Sequence, residues 1–225
     1  MKKYILADLD NTLIDFGECA RHGMMDGFKK YGLPYEDSFF DVFTTENNKL
    51  WKTLETGAIE KSYIRENRWN IIFEKLGIDF DGRFFEKYFE DAIANGAYPV
   101  EGAYDLLEYL GKKYDVFIVT NGFRSVQENR IRLGGFDKYF KDIFISEDAG
   151  YPKPAKEFFD YCFEKMGYPE VSEYILIGDS LTADIAGGND CGIDTIWLNR
   201  TNEPVPENIV PTYTVKTLSE IKKII

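Results

Sequence analysis

Histidine is almost missing from this chain of 225 residues, which has one, His22. That argues against a histidine-built metal site and against a Ser-His catalytic arrangement. Cysteine is scarce too. Cys19, Cys162 and Cys191 are odd in number and far apart, a pattern of neither a disulfide framework nor a zinc cluster. No apolar run approaches the length of a membrane span. The chain opens Met1-Lys2-Lys3, but the apolar stretch Tyr4 to Ala7 runs straight into Asp8 and Asp10, too short for a signal peptide. A soluble, cytoplasmic protein with no membrane partner is the expectation. Positive charge is also in deficit, with 27 Lys and Arg against 39 Asp and Glu and a net charge of −12. A phosphate backbone needs a basic footprint, so a nucleic-acid polymer is not the expected partner. A small anion held by a metal and a few local cations stays open. The acidic balance favours solubility and leaves the oligomeric state unread.

What is present is a core. The chain is 44% hydrophobic and 16% aromatic, with 18 Phe and 15 Tyr, which rules out disorder as the main state. Five short apolar runs read as buried parallel strands: Tyr4 to Ala7, Val116 to Thr120, Asp142 to Ser146, Tyr174 to Gly178 and Asp194 to Leu198. Helical segments follow the later ones. Ser125 to Leu133 has Ser125 as a candidate N-cap with Glu128 three residues on. Lys156 to Met166 ends before Gly167, and Thr182 to Cys191 follows the fourth run. This alternation argues an α/β fold, a Rossmann-like doubly wound parallel sheet. The first crossover breaks the rhythm. About a hundred residues separate Ala7 from Val116, where a crossover needs roughly a dozen. Within that stretch Ile64, Ile71, Ile72 and Leu76 fall near helical spacing, and Gly77 suits a helix stop. Gly57 and Gly32-Leu33-Pro34 mark loops. The expected division is therefore a core of residues 1–15 and 98–225 with a helical insertion over 16–97. Asp15 to Gly17 and Asn95 to Pro99 are the expected two-stranded hinge.

Ligands of open α/β sheets bind beyond the carboxyl ends of the strands. Here those ends carry Asp8-Leu9-Asp10-Asn11-Thr12, Thr120-Asn121-Gly122, Lys153-Pro154, and Gly178-Asp179-Ser180 with Asp184 after it. Carboxylates converging on one edge repel one another and push at least one pKa up. A hard divalent cation removes that conflict, and Mg²⁺ favours carboxylate oxygens, waters and a substrate phosphate. Asp8 and Asp179 are the natural ligands. The backbone carbonyl of Asp10 could give a third oxygen while its side chain points elsewhere. Lys153 and the metal would form a local cationic pit for a phosphate dianion. Thr120 offers a hydroxyl, and Asn121 lies beside it.

These four clusters, in this order and spanning the chain, resemble the ordered motifs of the haloacid dehalogenase superfamily. The resemblance implies that superfamily's core with a helical cap inserted between the first and second motifs. Only 33 positions separate Thr120 from Lys153, too few for a large cap later in the chain. It also implies a mechanism. Asp8 would attack phosphorus and form an aspartyl-phosphate. Asp10 would protonate the leaving oxygen and then accept a proton from water. Asp8, Asp10 and Asp179 would hold Mg²⁺. Lys153, Thr120 and Asn121 would meet the phosphate, and Asp184 and Ser180 would support from behind. The superfamily's dehalogenases lack the second Asp and use no Mg²⁺, so Asp10 points to phosphoryl transfer. A closer likeness, in Thr120-Asn121-Gly122-Phe123, Ile145-Ser146-Glu147, Leu50-Trp51, Gly57-Ala58-Ile59, Trp197-Leu198-Asn199 and Pro211 to Val215, is to bacterial pyrimidine 5′-nucleotidases. It implies a pyrimidine nucleoside monophosphate as substrate.

Two other readings share the motifs. One is a sugar-phosphate phosphatase or phosphomutase. The other is a non-catalytic module that senses a phosphorylated metabolite, which would be expected to have lost Asp8 or Asp10. Inside the insertion, Trp51 and Trp69 are expected in its core, while Phe16 stands between core and a substrate-stacking role. Arg65 and Arg68 are expected on solvated helix faces. Trp197 is expected in the core, and Asp184 could instead simply support a helix start.

Overall fold

The computed structural model describes residues 2–225. The chain forms two compact units, Met1–Asp15 with Ala97–Ile225, and Phe16–Gly96. The second unit is all helical: α1 (Phe16–Tyr31), α2 (Phe39–Glu55), α3 (Lys61–Leu76) and α4 (Gly82–Ala94). Each helix repeats buried residues at three- and four-residue steps, as Ala20, Met24 and Phe28 do on α1 and Phe85, Phe89 and Ile93 on α4. Gly77 ends α3 at φ 67°, a left-handed turn that costs glycine nothing and most residues a clash. Asp81 caps α4 by accepting from the Arg83 N–H at 2.9 Å.

Trp69 is the centre of this unit. It is 1% exposed, with ring centroids 4.2 Å from Phe85, 4.9 Å from Phe89 and 5.5 Å from Phe43. Trp51 is half-buried beside Leu50, Leu54 and Ile64, and its indole N–H donates to Asn47 Oδ1 at 3.2 Å. Phe16 is half-buried and stacks on Phe43 at 6.5 Å. The arginines part company. Arg65 lies on the surface with Glu90. Arg68, expected in solvent, is 4% exposed. It forks onto Glu86 and donates to Asn47 Oδ1 at 3.0 Å. Spacing along α3 could not reveal this, because both partners come from other helices. Burial pushes the Glu86 carboxyl up, against the pull of Arg68.

The other unit holds β1 (Tyr4–Ala7), α5 (Ala103–Leu110), β2 (Asp115–Thr120), α6 (Arg124–Leu133), β3 (Asp142–Ile145), α7 (Ser146–Ala149), α8 (Lys156–Lys165), β4 (Tyr174–Gly178), α9 (Ala186–Asp190), β5 (Asp194–Leu198), β6 (Tyr213–Val215) and α10 (Leu218–Ile221). The strands form one parallel sheet in the order β3-β2-β1-β4-β5-β6. The doubly wound α/β expectation is met. All five residues of β4 are buried, as a strand covered on both faces requires. Leu6, Val119, Phe144 and Leu176 pack with Phe158, Phe159 and Cys162 of α8 in one cluster.

Three local details differ from expectation. β6 is a sixth strand at the sheet edge; it has three residues, two of them exposed, and so no apolar run to announce it. Helix α6 begins at Arg124, ahead of Ser125, because the Arg124 N–H is met by the Glu147 carboxylate from beyond β3. The segment before α9, Leu181–Ile185, is a π-helical turn, with the N–H groups of both Asp184 and Ile185 donating to Ser180 O. No helix among the described residues is long and apolar enough to cross a membrane.

Candidate active site

The segment leaving β1 turns at once. The Leu13 and Ile14 N–H groups both donate to Leu9 O at 2.9 Å, and Asn11 sits at φ 58°. Two backbone bonds then tie it to the returning chain, Asp15 N–H to Tyr98 O at 2.8 Å and Val100 N–H to Leu13 O at 2.9 Å. Arg200, just beyond β5, donates to Asp15 Oδ2 at 2.8 Å and holds the turn from the other side. This geometry presents Asp8, Asp10 and Thr12 at the carboxyl edge of the sheet, between β2 and β4.

Lys153 is the hub. Its ammonium is 2% exposed and donates three bonds of 2.7 Å, to Asp8 Oδ1, Asp184 Oδ1 and Val119 O. Burial alone would lower its pKa, but Asp184 and Asp8 reverse that and hold it above the usual lysine value. Asn121 fixes the Lys153 backbone from both sides. Its amide oxygen accepts from Lys153 N–H at 2.8 Å and its amide nitrogen donates to Lys153 O at 2.9 Å. That side chain thus places Lys153 and keeps a second amide N–H. Thr12 hydroxyl donates to Asp8 Oδ2 at 3.2 Å and reaches Asp179 Oδ1 at 3.5 Å.

Carboxylate oxygens of Asp8, Asp179 and Asp184 lie within 4.8 Å of one another. Both oxygens of Asp184 are engaged, Oδ1 accepting from Lys153 and Oδ2 from the Ser180 N–H at 3.1 Å. Gly178 is needed for that approach, because a Cβ there would stand 2.2 Å from Asp184 Oδ2. Ser180 also caps the π-turn, accepting from Ala183 N–H at 3.1 Å. Trp197, buried in β5, donates its indole N–H to the backbone carbonyl of Asp179 at 2.8 Å and so holds the main chain at that residue.

The electrostatics follow from crowding. Burial pushes the Asp8 carboxyl up to about 7 against the pull of Lys153, with Asp184 and Asp10 adding to the rise. Asp179 is raised well above the usual carboxylate range by burial, then by Asp8 and Asp184. Such a group binds more protons folded than unfolded between its ordinary value of 3.8 and about 7. Its contribution to stability is present in acid and is lost as the pH climbs through that window. Chelator-treated protein is therefore expected to melt at a lower temperature at pH 8 than at pH 5.5. Added Mg²⁺ should narrow the gap. Melting curves at the two pH values, with and without the ion, check both statements. A melting temperature that rises with pH would contradict the first.

Asp10 turns its side chain away from this cluster and onto α6. Its carboxylate accepts from Gln127 Nε2 at 2.6 Å and from Arg130. Thr120 Oγ1 accepts from the same Gln127 nitrogen and from Gly122 N–H, each at 3.0 Å. Gln127 and Arg130 left no signal along the chain, because α6 also carries Arg124, Glu128 and Arg132 and only the fold shows that Gln127 and Arg130 lie on its buried face with Val126 and Ile131. The structure thus brings Asp8, Asp179, Asp184, Lys153, Thr120 and Asn121 together with Asp10 beside them. Phe16 belongs to the helical unit, where it stacks on Phe43.

The chain is similar to known proteins over most of its length. A family model described as haloacid dehalogenase-like hydrolase matches residues 2–192. The pyrimidine 5′-nucleotidase PynA of Streptococcus pneumoniae is 33% identical, over 97% of this chain and 93% of its own length. The pyrimidine 5′-nucleotidase YjjG of Escherichia coli is 32% identical, over 99% of this chain and 97% of its own. Among solved structures, the HAD-hydrolase YfnB of Bacillus subtilis bound to magnesium superposes with a TM-score of 0.93 at 34% identity. The match covers 99% of this chain and 98% of YfnB.

Proposed function

Because the chain belongs to the haloacid dehalogenase-like hydrolase family, we propose that it is a Mg²⁺-dependent phosphatase whose preferred substrates are pyrimidine nucleoside 5′-monophosphates. The observation that carries this reading is the pairing of Asp8, buried and held by Lys153 and Thr12, with Asp10, two residues on and aimed elsewhere. This arrangement supports a reading in which one carboxylate attacks and the other moves a proton. The substrate class rests on the likeness to PynA and YjjG.

The three-carboxylate cluster suits a hard cation, since all its donors are oxygen and burial, with neighbouring carboxylates, raises the pKa of Asp8 and Asp179. Asp8 and Asp179 would hold it together with the backbone of Asp10, with Asp184 behind them on Lys153 and Ser180. Bound Mg²⁺ supplies the positive charge that keeps these acids ionised side by side and screens an incoming phosphate. In the proposed reaction Asp8 attacks phosphorus, the ester oxygen leaves with a proton from Asp10, and the aspartyl-phosphate is cleared by water that gives its proton back to Asp10. Lys153 keeps its charge throughout and offsets the phosphate oxygens. Thr120 accepts two bonds and so turns its own O–H outward to donate. Residues 16–96 are read as the cap that selects the substrate, from their place between the Asp10 and Thr120 motifs.

Phosphate release from UMP, dUMP, dTMP, AMP and two sugar phosphates, with and without Mg²⁺, tests the proposal. The expected result is Mg²⁺-dependent release concentrated on the pyrimidine nucleotides. Release concentrated on sugar phosphates would discard the substrate assignment and keep the chemistry. Metal-independent release would discard the mechanism.

A further inference from the structure

We propose that Gln127 and Arg130 are positioning residues for proton transfer by Asp10, a role that rests on the phosphatase reading above. The two lie three apart on α6 and so share a face. Gln127 Nε2 donates to Asp10 Oδ2 at 2.6 Å and to Thr120 Oγ1 at 3.0 Å. Its Oε1 accepts from Arg130 Nη1 at 3.1 Å. The same Arg130 nitrogen donates to Asp10 Oδ1. Each Asp10 oxygen therefore has its own donor, one of them a full positive charge.

Burial shows that this is built rather than incidental. Arg130 is 0% exposed and Gln127 1%. A guanidinium withdrawn from water costs several kcal/mol unless its partners replace the lost hydration. The Gln127 amide has one productive orientation, because turning it over would set its oxygen against the Asp10 carboxylate and its nitrogen against Arg130. Gly122 leaves the room for it, since a Cβ at that position would stand 2.0 Å from Gln127 Nε2.

The chemistry explains what the pair does. In the first half-reaction a bond forms between Asp8 and phosphorus, the phosphorus–ester oxygen bond breaks, and the Asp10 proton leaves with the alcohol. Negative charge then appears on the two oxygens that Gln127 and Arg130 already face, so the donors stabilise it without rearranging. In the second half-reaction a water oxygen bonds to phosphorus, the bond to Asp8 breaks, and the water proton returns to Asp10. No outside reactant is needed. The helix holds the Asp10 carboxyl group in one place for both steps, facing the oxygen that leaves in the first and the water that enters in the second.

Leaving-group dependence separates this role from simple support of the fold. A nucleotide ester leaves as an alkoxide and needs the proton; p-nitrophenolate leaves without one. The measured quantity is kcat/KM, which reports the first half-reaction alone, for UMP and for p-nitrophenyl phosphate. Arg130→Met should lower kcat/KM for UMP at least about tenfold more than for p-nitrophenyl phosphate, within the range general acids contribute. Gln127→Leu should show a smaller gap in the same direction, and Arg130→Lys should recover part of the loss on UMP. Asp10→Asn sets the full width of the gap. Equal losses on both substrates in Gln127→Leu and in whichever Arg130 variants fold would overturn the proposal. If Asp10→Asn itself fails to separate the substrates, the general-acid mechanism is what has failed.

Discussion

Asp8→Asn is expected to reduce turnover by at least about four orders of magnitude, the scale on which loss of a nucleophile acts. The amide is nearly isosteric and can still accept from Lys153, so the loss would be chemical rather than structural. The same substitution tests the electrostatic account. Asp8 is one of three carboxylates within 4.8 Å, and burial and its neighbours raise its pKa to about 7. Neutralising it removes repulsion that the folded state carries at alkaline pH. In chelator at pH 8 the variant should melt no lower than the parent, while the stabilisation that Mg²⁺ gives the parent should shrink. Thermal melts and single-turnover assays on one preparation read all three effects. Near-native turnover would sink the nucleophile assignment. A variant much less stable at pH 8 would sink the crowding argument.

Lys153→Met should be the most damaging single change to the fold of this edge. The ammonium is 2% exposed and joins Asp8, Asp184 and Val119 O by three bonds of 2.7 Å. Methionine fills much of the volume and none of the charge. Two buried carboxylates are then left facing each other with a carbonyl unpaired, a loss of about 3–5 kcal/mol. Activity should fall with it, by about two to three orders of magnitude, because the phosphate oxygens lose their fixed cation. Arginine should not substitute, since a planar fork cannot place three donors where one ammonium does. The double variant Lys153→Met with Asp184→Asn should recover part of the stability and none of the activity. Denaturant unfolding of the two single variants and the double variant gives the coupling between the residues. Additive stabilities would show that the pair does not act as a unit.

Much of the sheet was legible along the chain. Tyr4–Ala7, Tyr174–Gly178 and Asp194–Leu198 were bounded correctly because a strand buried on both faces must be apolar throughout, and such a run is local information. The end of each run locates the residue that follows it, so Asp8, Thr120 and Asp179 could be placed on one edge once the strands were taken as parallel. Gly77 was legible for a similar reason, since a helix stop in the left-handed region leaves its mark on a single residue.

What escaped were particular side-chain pairings between partners distant in sequence. Asp10 meets Gln127 and Arg130 across 117 and 120 positions. The first turn of α6 is capped by Glu147, 23 residues away, and not by its own Ser125. Arg68 looked like a surface cation and is buried because Glu86 and Asn47 arrive from two other helices. Asn121 read as a ligand group, and that its amide also holds the backbone of Lys153 could not be read along the chain. β6 needed only the β5 edge to pair with, and no hydrophobic pattern of its own. Which segments form the sheet and which residue types stand at their ends follow from the solvation of short stretches of chain, and so are written locally. Which polar groups pair with which is settled by the fold, because a buried charge is tolerated or not according to neighbours that the chain brings from elsewhere.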